Sequence, residues 1–232
     1  MREPAVRTSR GLFVTGTDTG VGKTRVACML LRAFAARGER VVGMKPVATG
    51  AQWTGAGLRN EDVAQLCAAS NAAAPLELVN PYCFAPAIAP HLAAAEAGAR
   101  IELGRIVDAC SKLAALADRV VVEGVGGFAV PLGEDYGTAD LARMLGLPVV
   151  LVVGMRLGCL NHALLTVQAI ERCGLRLAGW VANCIDPEMQ RLEGNVETLR
   201  TRLSAPLLGL VPHDPVPGEA AMPGLAIERL SA

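Results

Sequence analysis

The most informative stretch of the chain reads Gly16-Thr17-Asp18-Thr19-Gly20-Val21-Gly22-Lys23-Thr24. An apolar run at residues 12–14 precedes it, and apolar residues at helical spacing follow from Val26 to Phe34. The pattern predicts a glycine-rich loop between a strand and a helix N-terminus, where backbone N–H groups and the helix dipole face a phosphate chain. Lys23 would contact the outer phosphates, and the Thr24 hydroxyl would hold Mg²⁺.

The spacing within this loop is unusual. Five residues separate Gly16 from Gly22, whereas the common phosphate-binding loop has four residues before its Gly-Lys pair. The alternative is a glycine-rich turn that Lys23 and Thr24 follow by chance. The apolar strand before the loop and the helix after it favour the phosphate site.

Composition favours an α/β protein. Of 232 residues, 52% are hydrophobic and only 3% are aromatic, so the core must be built from Ala, Val and Leu. Such a core suits a parallel sheet buried on both faces. We expect one domain over residues 1–232, with residues 1–11 as a flexible lead-in. The 22 basic and 22 acidic residues balance, which gives no reason to expect nucleic acid or an anionic membrane as a partner.

The cysteines and the hydropathy predict a cytoplasmic location. Seven cysteines are scattered without a Cys-x-x-Cys pair, as expected for reduced thiols in a cytosolic protein. No apolar run reaches the roughly 18 residues that span a bilayer. Residues 1–10 also lack the apolar segment of a signal peptide.

Strand and helix patterns alternate along the chain. Beyond the first strand and helix, strands are predicted at residues 40–47, 119–123, 148–153, 177–183 and 206–211, and helices at residues 60–69, 102–117, 138–145, 159–173 and 187–204. Residues 49–60 are predicted to be a loop, and residues 71–100 an irregular excursion over the sheet. The alternation predicts a phosphate-loop NTPase fold of three layers, with a mostly parallel sheet and helices on both faces.

Polar residues and a glycine fall at the ends of several predicted strands. Lys45, Glu123, Gly154 and Asn183 all lie at carboxyl ends, where parallel α/β sheets bind their ligands. Glu123 follows three valines, and a carboxylate at such a buried place is costly unless it is paired or binds a metal. It would therefore share Mg²⁺ with phosphate oxygens. The alternative is a carboxylate that only accepts N–H groups of the glycines after it.

Three further residues are each open to two interpretations. Asp62 is a candidate metal ligand, but an acid in the first turn of a helix can simply stabilise the helix dipole. Lys45 precedes Pro46, which holds its backbone extended, and its side chain could reach either the γ-phosphate or water. Asn161 could be only a helix N-cap.

A series of segments, in one order along residues 12–219, resembles the dethiobiotin synthetase family. Each segment alone is weak, whereas together they are specific. They are the phosphate loop with its extra residue, Lys45-Pro46-Val47-Ala48-Thr49-Gly50, Gly57-Leu58-Arg59-Asn60-Glu61-Asp62, Asn80-Pro81-Tyr82, Ala89-Pro90-His91, Val122-Glu123-Gly124-Val125-Gly126-Gly127, Leu157-Gly158-Cys159-Leu160-Asn161-His162 and Gly179-Trp180-Val181-Ala182-Asn183.

The resemblance implies the ATP-dependent ring closure that is the penultimate step of biotin synthesis. The substrates would be 7,8-diaminopelargonic acid, CO2 and MgATP, and the products dethiobiotin, ADP and phosphate. One amine takes up CO2 as a carbamate, which attacks the γ-phosphate to form a carbamic-phosphoric anhydride. The second amine then closes the cyclic urea. This chemistry requires neutralised charge around the phosphoryl group and a site that excludes water.

The resemblance also implies roles for individual residues. Lys45 would be the catalytic lysine, acting with Lys23 at the carbamate and the γ-phosphate. Mg²⁺ would be held by Thr24, Asp62 and Glu123. The nucleotide would contact Gly20, Val21, Gly22, Lys23, Thr24, Arg25, Asp62, Glu123, Gly124, Val125, Gly126, Asn183, Cys184, Pro212, His213, Asp214 and Glu219. The substrate would contact Thr49, Leu157, Gly158, Cys159 and Asn161, the last four across a homodimer interface.

The chain departs from the family pattern at a few positions. Gly20 stands where some members have Glu, and Cys184 where some have Asp. Asn195 falls near the position of a tyrosine that closes over the substrate carboxylate. A weaker contact with the base would predict tolerance of nucleoside triphosphates other than ATP.

Two other functions remain open on this fold. Partitioning or site-placing ATPase switches usually have an additional lysine early in the loop, and no lysine precedes Lys23 here. Amide-forming synthetases usually have a glutaminase domain, for which 232 residues leave no room.

Overall fold

The computed structural model describes residues 11–55, 57–213 and 224–230. Asp214 and Glu219, two of the expected nucleotide contacts, lie outside these ranges, as do residues 1–10 of the expected lead-in. Gly11, the last residue of that lead-in, already belongs to the first strand.

Strands and helices alternate as the sequence predicts. The strands are β1 (Gly11–Gly16), β2 (Val41–Met44), β3 (Val47–Ala48), β4 (Gln52–Thr54), β5 (Gly57–Arg59), β6 (Tyr82–Cys83), β7 (Arg119–Glu123), β8 (Val149–Met155), β9 (Leu177–Cys184) and β10 (Leu207–Val211). The α-helices are α1 (Lys23–Ala35), α2 (Glu61–Ala69), α3 (Leu76–Val79), α4 (Pro90–Glu96), α5 (Leu103–Leu116), α6 (Thr138–Leu145), α7 (Cys159–Arg172) and α8 (Leu192–Arg202). A short 3-10 helix follows at Ile227–Arg229.

A parallel sheet of six strands forms the middle layer, in the order β10-β9-β8-β1-β7-β2. The central strand β1 pairs with β7 on one side and β8 on the other. Its successive side chains point to opposite faces, so Phe13 packs in one apolar cluster while Leu12 and Val14 pack in the other. Helices α5 to α8 contribute to the first cluster and α1 to the second. The predicted three-layer α/β fold is confirmed.

The second strand is shorter than predicted. β2 ends at Met44, and the expected continuation to residue 47 is wrong because the chain leaves the main sheet at Lys45. The N–H of Lys45 donates to the carbonyl of Val79 at 2.8 Å, and β3 pairs with β6 in a separate sheet. Lys45 therefore lies directly beyond the carboxyl edge of the main sheet.

Two connecting segments also differ from their predictions. Residues 49–60 are not a plain loop, because β4 and β5 pair as an antiparallel hairpin. The helix predicted from residue 187 begins at Leu192, because Asp186 forms a turn instead. Its side chain accepts the N–H of Glu188 at 3.0 Å, and its carbonyl accepts the N–H of Met189 at 3.3 Å.

The segment 71–100, expected to be irregular, contains the short elements α3, β6 and α4. Across the part of the chain that the structure describes, no helix combines the length and apolarity needed to cross a membrane.

Candidate active site

The glycine-rich loop joins β1 to α1 at the carboxyl edge of the sheet. Gly20 and Gly22 have positive φ values of 73° and 86°, a conformation that favours glycine. Gly22 is the N-cap of α1, and a Cβ at this position would collide with the side-chain amide of Asn183. The loop thus presents the N-terminus of α1 to a ligand, as the sequence predicts.

Lys23, the first residue of α1, is buried. Its ammonium donates to the main-chain carbonyl of Asp18 at 2.9 Å, which folds its side chain back over the loop. Burial, followed by repulsion from Lys45, lowers the pKa of Lys23 from 10.5 to about 8. An anion such as a phosphate group would favour the charged form of this lysine.

Four side chains converge beside the loop. The ammonium of Lys45 lies 2.5 Å from Oε1 of Glu123 and 2.8 Å from Oδ2 of Asp62. The hydroxyl of Thr24 donates to the same Oε1 of Glu123 at 2.9 Å. Lys45 and Glu123 are buried, whereas Asp62, in the first turn of α2, is partly exposed.

Charge pairing outweighs burial at Lys45 and Asp62, whereas at Glu123 burial outweighs the pairing with Lys45 and raises the Glu123 pKa above its usual value. Burial opposes the charged form of Lys45, but the carboxylates of Glu123 and Asp62 outweigh it and raise the Lys45 pKa above its usual value. Burial likewise opposes ionisation of Asp62, yet the Lys45 ammonium holds the Asp62 pKa below its usual range. The two lysines therefore differ, since Lys45 is held charged by two carboxylates and Lys23 is not in contact with either.

The donor set suits a magnesium ion that is shared with a nucleotide. Oε2 of Glu123 is buried and has no hydrogen-bond partner among the described residues. It lies with the Asp62 carboxylate and the Thr24 hydroxyl in a cluster of hard oxygen donors. No group of three or more His, Cys, Asp or Glu that could hold a metal occurs in the described ranges. Magnesium characteristically takes one or two carboxylates and completes its shell with phosphate oxygens and water.

A cavity of about 810 Å³ opens over this cluster. Its walls include ten of the residues predicted from the sequence, namely Gly20, Gly22, Lys23, Thr24, Lys45, Thr49, Asp62, Glu123, Val125 and Gly126. They also include residues that the sequence analysis did not assign, namely Thr19, Gln65, Ala87, Ile88, Ala89, Pro90 and Val130. Of these, Ala89 and Pro90 belong to one of the segments that resemble the family, so their place at the site could have been predicted from the sequence.

Other expected nucleotide contacts lie outside this cavity. Val21 is buried beneath the loop, where its carbonyl accepts the Asn183 side-chain amide at 2.8 Å. Oδ1 of Asn183 is buried without a partner among the described residues. The Arg25 guanidinium donates to the carbonyl of Pro212 at 3.1 Å, which ties α1 to the end of β10. Gly124, Cys184 and His213 also do not line the cavity.

The expected substrate loop, residues 157–161, begins α7 and does not line the cavity of its own chain. Leu157 is 96% exposed, Gly158 is the helix N-cap with φ 94°, and Cys159 is buried. The interpretation of Asn161 as an N-cap is wrong, because Asn161 lies inside the first turn of the helix.

Comparison with known proteins identifies the family. A family model described as an AAA domain matches residues 10–220. The ATP-dependent dethiobiotin synthetase BioD of Aromatoleum aromaticum is 60% identical over 204 residues, which cover 88% of this chain and 91% of that protein. The enzyme of the same name from Nitrosospira multiformis is 55% identical over 208 residues, covering 88% and 89%. The chain belongs to the dethiobiotin synthetase family. The resemblance found in the sequence is thereby confirmed, and this family is one of ATP-dependent synthetases.

The same fold occurs in solved structures of proteins with other names. The MinC:MinD cell division complex of Aquifex aeolicus contains a chain with a TM-score of 0.56 and 17% identity, covering 89% of this chain and 82% of that one. A ParA family ATPase from Chlorobium tepidum has a TM-score of 0.56 and 15% identity, covering 89% and 85%. At such identities the likeness concerns the fold.

Proposed function

We propose that this chain catalyses the ATP-dependent ring closure of 7,8-diaminopelargonic acid with CO2 to give dethiobiotin, ADP and phosphate. Family membership supports the reaction. The observation that carries the assignment of the site is the convergence of Lys23, Lys45 and Glu123 with the glycine-rich loop in one cavity. A phosphoryl transfer needs fixed positive charge at this place, because the transferred group carries negative charge on its oxygens and further negative charge develops on the leaving oxygen of ADP.

The chemistry divides into three bond-forming steps. A neutral amine of the substrate attacks the carbon of CO2 and loses a proton, which leaves a carbamate. A carbamate oxygen attacks the γ-phosphorus as the bond to ADP breaks, giving the mixed anhydride. The second amine attacks the carbamoyl carbon, loses a proton and expels phosphate, which closes the five-membered urea.

Lys45 is proposed as the catalytic lysine. Its ammonium is held charged by Glu123 and Asp62, so it can stabilise the carbamate anion and the γ-phosphate without first taking up a proton. Lys23, on the loop, would exchange the Asp18 carbonyl for the β- and γ-phosphate oxygens. Two cations on a carbamate and a phosphate reduce the repulsion between these anions.

Thr24, Asp62 and Glu123 are proposed to hold Mg²⁺, through one hydroxyl and two carboxylates. When bound, the ion neutralises phosphate charge and orients the γ-phosphate. In this structure the Asp62 and Glu123 carboxylates accept hydrogen bonds from Lys45. If they bound the ion instead, the Lys45 ammonium would be free to contact the reacting groups.

Thr49 and the apolar residues Ala87, Ile88 and Pro90 line the same cavity and are proposed to surround the diamine. An apolar wall there would keep water from the anhydride, which would otherwise hydrolyse. Thr49 offers a hydroxyl within this wall.

The remaining contacts are proposed at two other places. Residues 183–184 and 212–213, with Asp214 and Glu219, would contact the base, and Val21, Arg25 and Gly124 would support the phosphate loop. Leu157, Gly158, Cys159 and Asn161 would bind the carboxylate tail of a substrate held mainly by a second copy, since these residues do not line the cavity of their own chain. The protein would therefore be a homodimer. All seven cysteines are free thiols, which favours the cytoplasm as its location.

ADP release tests the proposal. Purified protein is incubated with MgATP and bicarbonate, with and without 7,8-diaminopelargonic acid, and the product is identified by mass spectrometry. We expect ADP release only when both the diamine and bicarbonate are present. Release that ignores the diamine would overturn the proposal and favour an ATPase switch. GTP and CTP in parallel reactions test the expected tolerance of other bases, which fails if they support less than a few per cent of the ATP rate.

A further inference from the structure

Arg156, directly after β8, contacts the glycine-rich loop. Its Nη2 lies 2.6 Å from Oδ2 of Asp18, and the two side chains are 42% and 46% exposed. The other carboxylate oxygen of Asp18 accepts the N–H of Thr19 at 2.7 Å. Both oxygens of Asp18 are therefore engaged, one by the loop itself and one by Arg156, which fixes the orientation of this carboxylate.

The neighbouring residue Thr17 is hydrogen-bonded to β8. Its N–H donates to the carbonyl of Val152 at 3.0 Å, and its hydroxyl accepts the N–H of Gly154 at 3.3 Å. The first half of the loop is thus joined to β8 through Thr17 and Asp18. The second half carries Gly20 and Gly22 and presents the phosphate-binding face.

Asp18 also contacts Lys23 through its main chain. The Lys23 ammonium donates to the Asp18 carbonyl, while the Asp18 carboxylate accepts from Arg156. One residue therefore contacts both the lysine proposed for the phosphates and an arginine that is not part of the proposed nucleotide site. When phosphate draws Lys23 away from that carbonyl, Asp18 loses one contact and keeps the one with Arg156.

Arg156 contacts the start of α7 through its own main chain. Its carbonyl accepts the N–H of Cys159 at 3.0 Å, which closes the turn at Leu157 and Gly158. Arg156 is therefore joined by its side chain to the nucleotide loop and by its backbone to the loop of residues 157–161.

We propose that Arg156 is a positioning residue that couples the nucleotide loop to the loop of residues 157–161, with Asp18 as the contact between them. The coupling rests on the proposed function, because it takes residues 157–161 as the binding loop for the tail of a substrate held mainly by the second copy, so it acts between the subunits of the proposed dimer. A displacement of Asp18 on nucleotide binding passes through the ion pair to Arg156 and the first turn of α7. By linkage, tail binding changes nucleotide affinity by the same factor.

The test compares Arg156→Gln, Asp18→Asn and the double variant with the parent protein. The dissociation constant of MgADP is measured by calorimetry, and the KM for ATP and for the diamine by ADP release. We expect each single variant to weaken MgADP binding about threefold to tenfold, the size of effect that a half-exposed ion pair with a short hydrogen bond can have. The double variant should bind MgADP no more weakly than either single variant, because both substitutions remove the same contact between Asp18 and Arg156.

Two further measurements distinguish positioning from general damage. Arg156→Lys retains the charge and should recover part of the affinity. Arg143→Gln removes an arginine from a comparable exposed pair with Asp140 on α6 and should leave both KM values unchanged. The ratio of MgADP affinities with and without the diamine should move toward one in Arg156→Gln.

Two results would overturn the inference. One is that the effects of Arg156→Gln and Asp18→Asn on MgADP affinity multiply in the double variant. The other is that Arg156→Gln binds MgADP as tightly as the parent protein. The MgADP measurement needs no diamine, so this result does not depend on the reaction. Failure of the proposed function would instead appear as diamine-independent ADP release by the parent protein.

Discussion

Two buried lysines in the candidate site have opposite electrostatic surroundings. Lys45 contacts two carboxylates, and they raise its pKa. Within the described residues, the hydrogen-bond partner of the Lys23 ammonium is a neutral group, the carbonyl oxygen of Asp18. Burial therefore lowers the pKa of Lys23 to about 8. The fold stabilises the charge of one lysine and leaves the charge of the other to be stabilised by a bound anion.

Replacing Lys45 should lower both turnover and stability, for two different reasons. We expect Lys45→Met to lower turnover at least about 10²–10³-fold, as the loss of one preorganised cation in an active site does. It should also destabilise the protein by about 3 kcal/mol, because Glu123 would lose its buried partner. Steady-state ADP release and urea denaturation measure the two effects.

The control is the double variant Lys45→Met/Glu123→Gln. Neutral Gln removes the unpaired carboxylate, so this protein should recover most of the lost stability and none of the turnover. Turnover of Lys45→Met within tenfold of the parent protein would remove Lys45 from its proposed role.

Replacing Lys23 should stabilise the ligand-free protein while it abolishes activity. Its folded pKa of about 8 lies below the unfolded value of 10.5. The cost of holding it protonated is therefore fully present below pH 8, and it disappears as the pH rises from 8 to 10.5. We expect Lys23→Met to raise the free energy of unfolding by about 1–3 kcal/mol at pH 7, and by less at pH 10.

Urea denaturation at pH 7 and pH 10, without nucleotide, measures this change. Lys112→Met is the matched control, because Lys112 is exposed and pairs with Asp108 on the surface of α5. It should alter stability by less than about 1 kcal/mol at either pH. A destabilised Lys23→Met protein at pH 7 would show that the burial of Lys23 carries no such cost.

At the scale of elements, two glycines of the loop between β1 and α1 should respond differently to the same substitution. Gly22→Ala combines a positive φ with a collision against Asn183, whereas a Cβ at Gly20 meets open space. We expect Gly22→Ala to lose MgADP binding and about 2–3 kcal/mol of stability. Gly20→Ala should cost only about 1 kcal/mol of backbone strain. Calorimetry and thermal denaturation compare them, and equal damage by the two substitutions would contradict the packing described for Gly22.

The elements differ in how far the sequence predicts them. The six main strands and most helices follow from local apolar patterns. Asn60 has a side chain that favours the N-cap position, and in the structure it caps α2 by accepting the N–H of Val63. The end of β2 was not predictable, since it depends on a hydrogen bond from Lys45 to Val79, which lies far along the chain. The hairpin of β4 and β5 also lacks a strong alternating pattern, and most of its residues are exposed.

The candidate site was likewise predictable only where a local sequence pattern marks a residue. Glu123 is recognisable because a carboxylate after three buried valines is costly without a partner. Its pairing with Lys45 and Thr24, and the pairing of Asp18 with Arg156, join residues distant in sequence and appear only when the strands are side by side.

At the scale of the whole molecule, the proposed homodimer predicts that α7 lies near an interface. Leu165 on this helix is 56% exposed, although it is a large apolar residue. We expect Leu165→Glu to shift the protein toward a monomer in sedimentation experiments and to raise the KM for the diamine more than that for ATP. Leu92→Glu, an exposed leucine on α4, is the comparison and should leave the oligomeric state unchanged. A parent protein that is monomeric at micromolar concentration would contradict the dimer.

The fate of the oxygen atoms of CO2 tests whether this site phosphorylates a carbamate. The reaction is started with ¹⁸O-labelled CO2 in unlabelled water and stopped before the label exchanges, and the released phosphate is analysed by mass spectrometry. We expect one ¹⁸O atom in each phosphate, because the carbamate oxygen that attacks the γ-phosphorus leaves with it. Unlabelled phosphate, together with dethiobiotin formation, would contradict a carbamic-phosphoric anhydride, since it would mean that no oxygen of the carbamate is ever bonded to phosphorus.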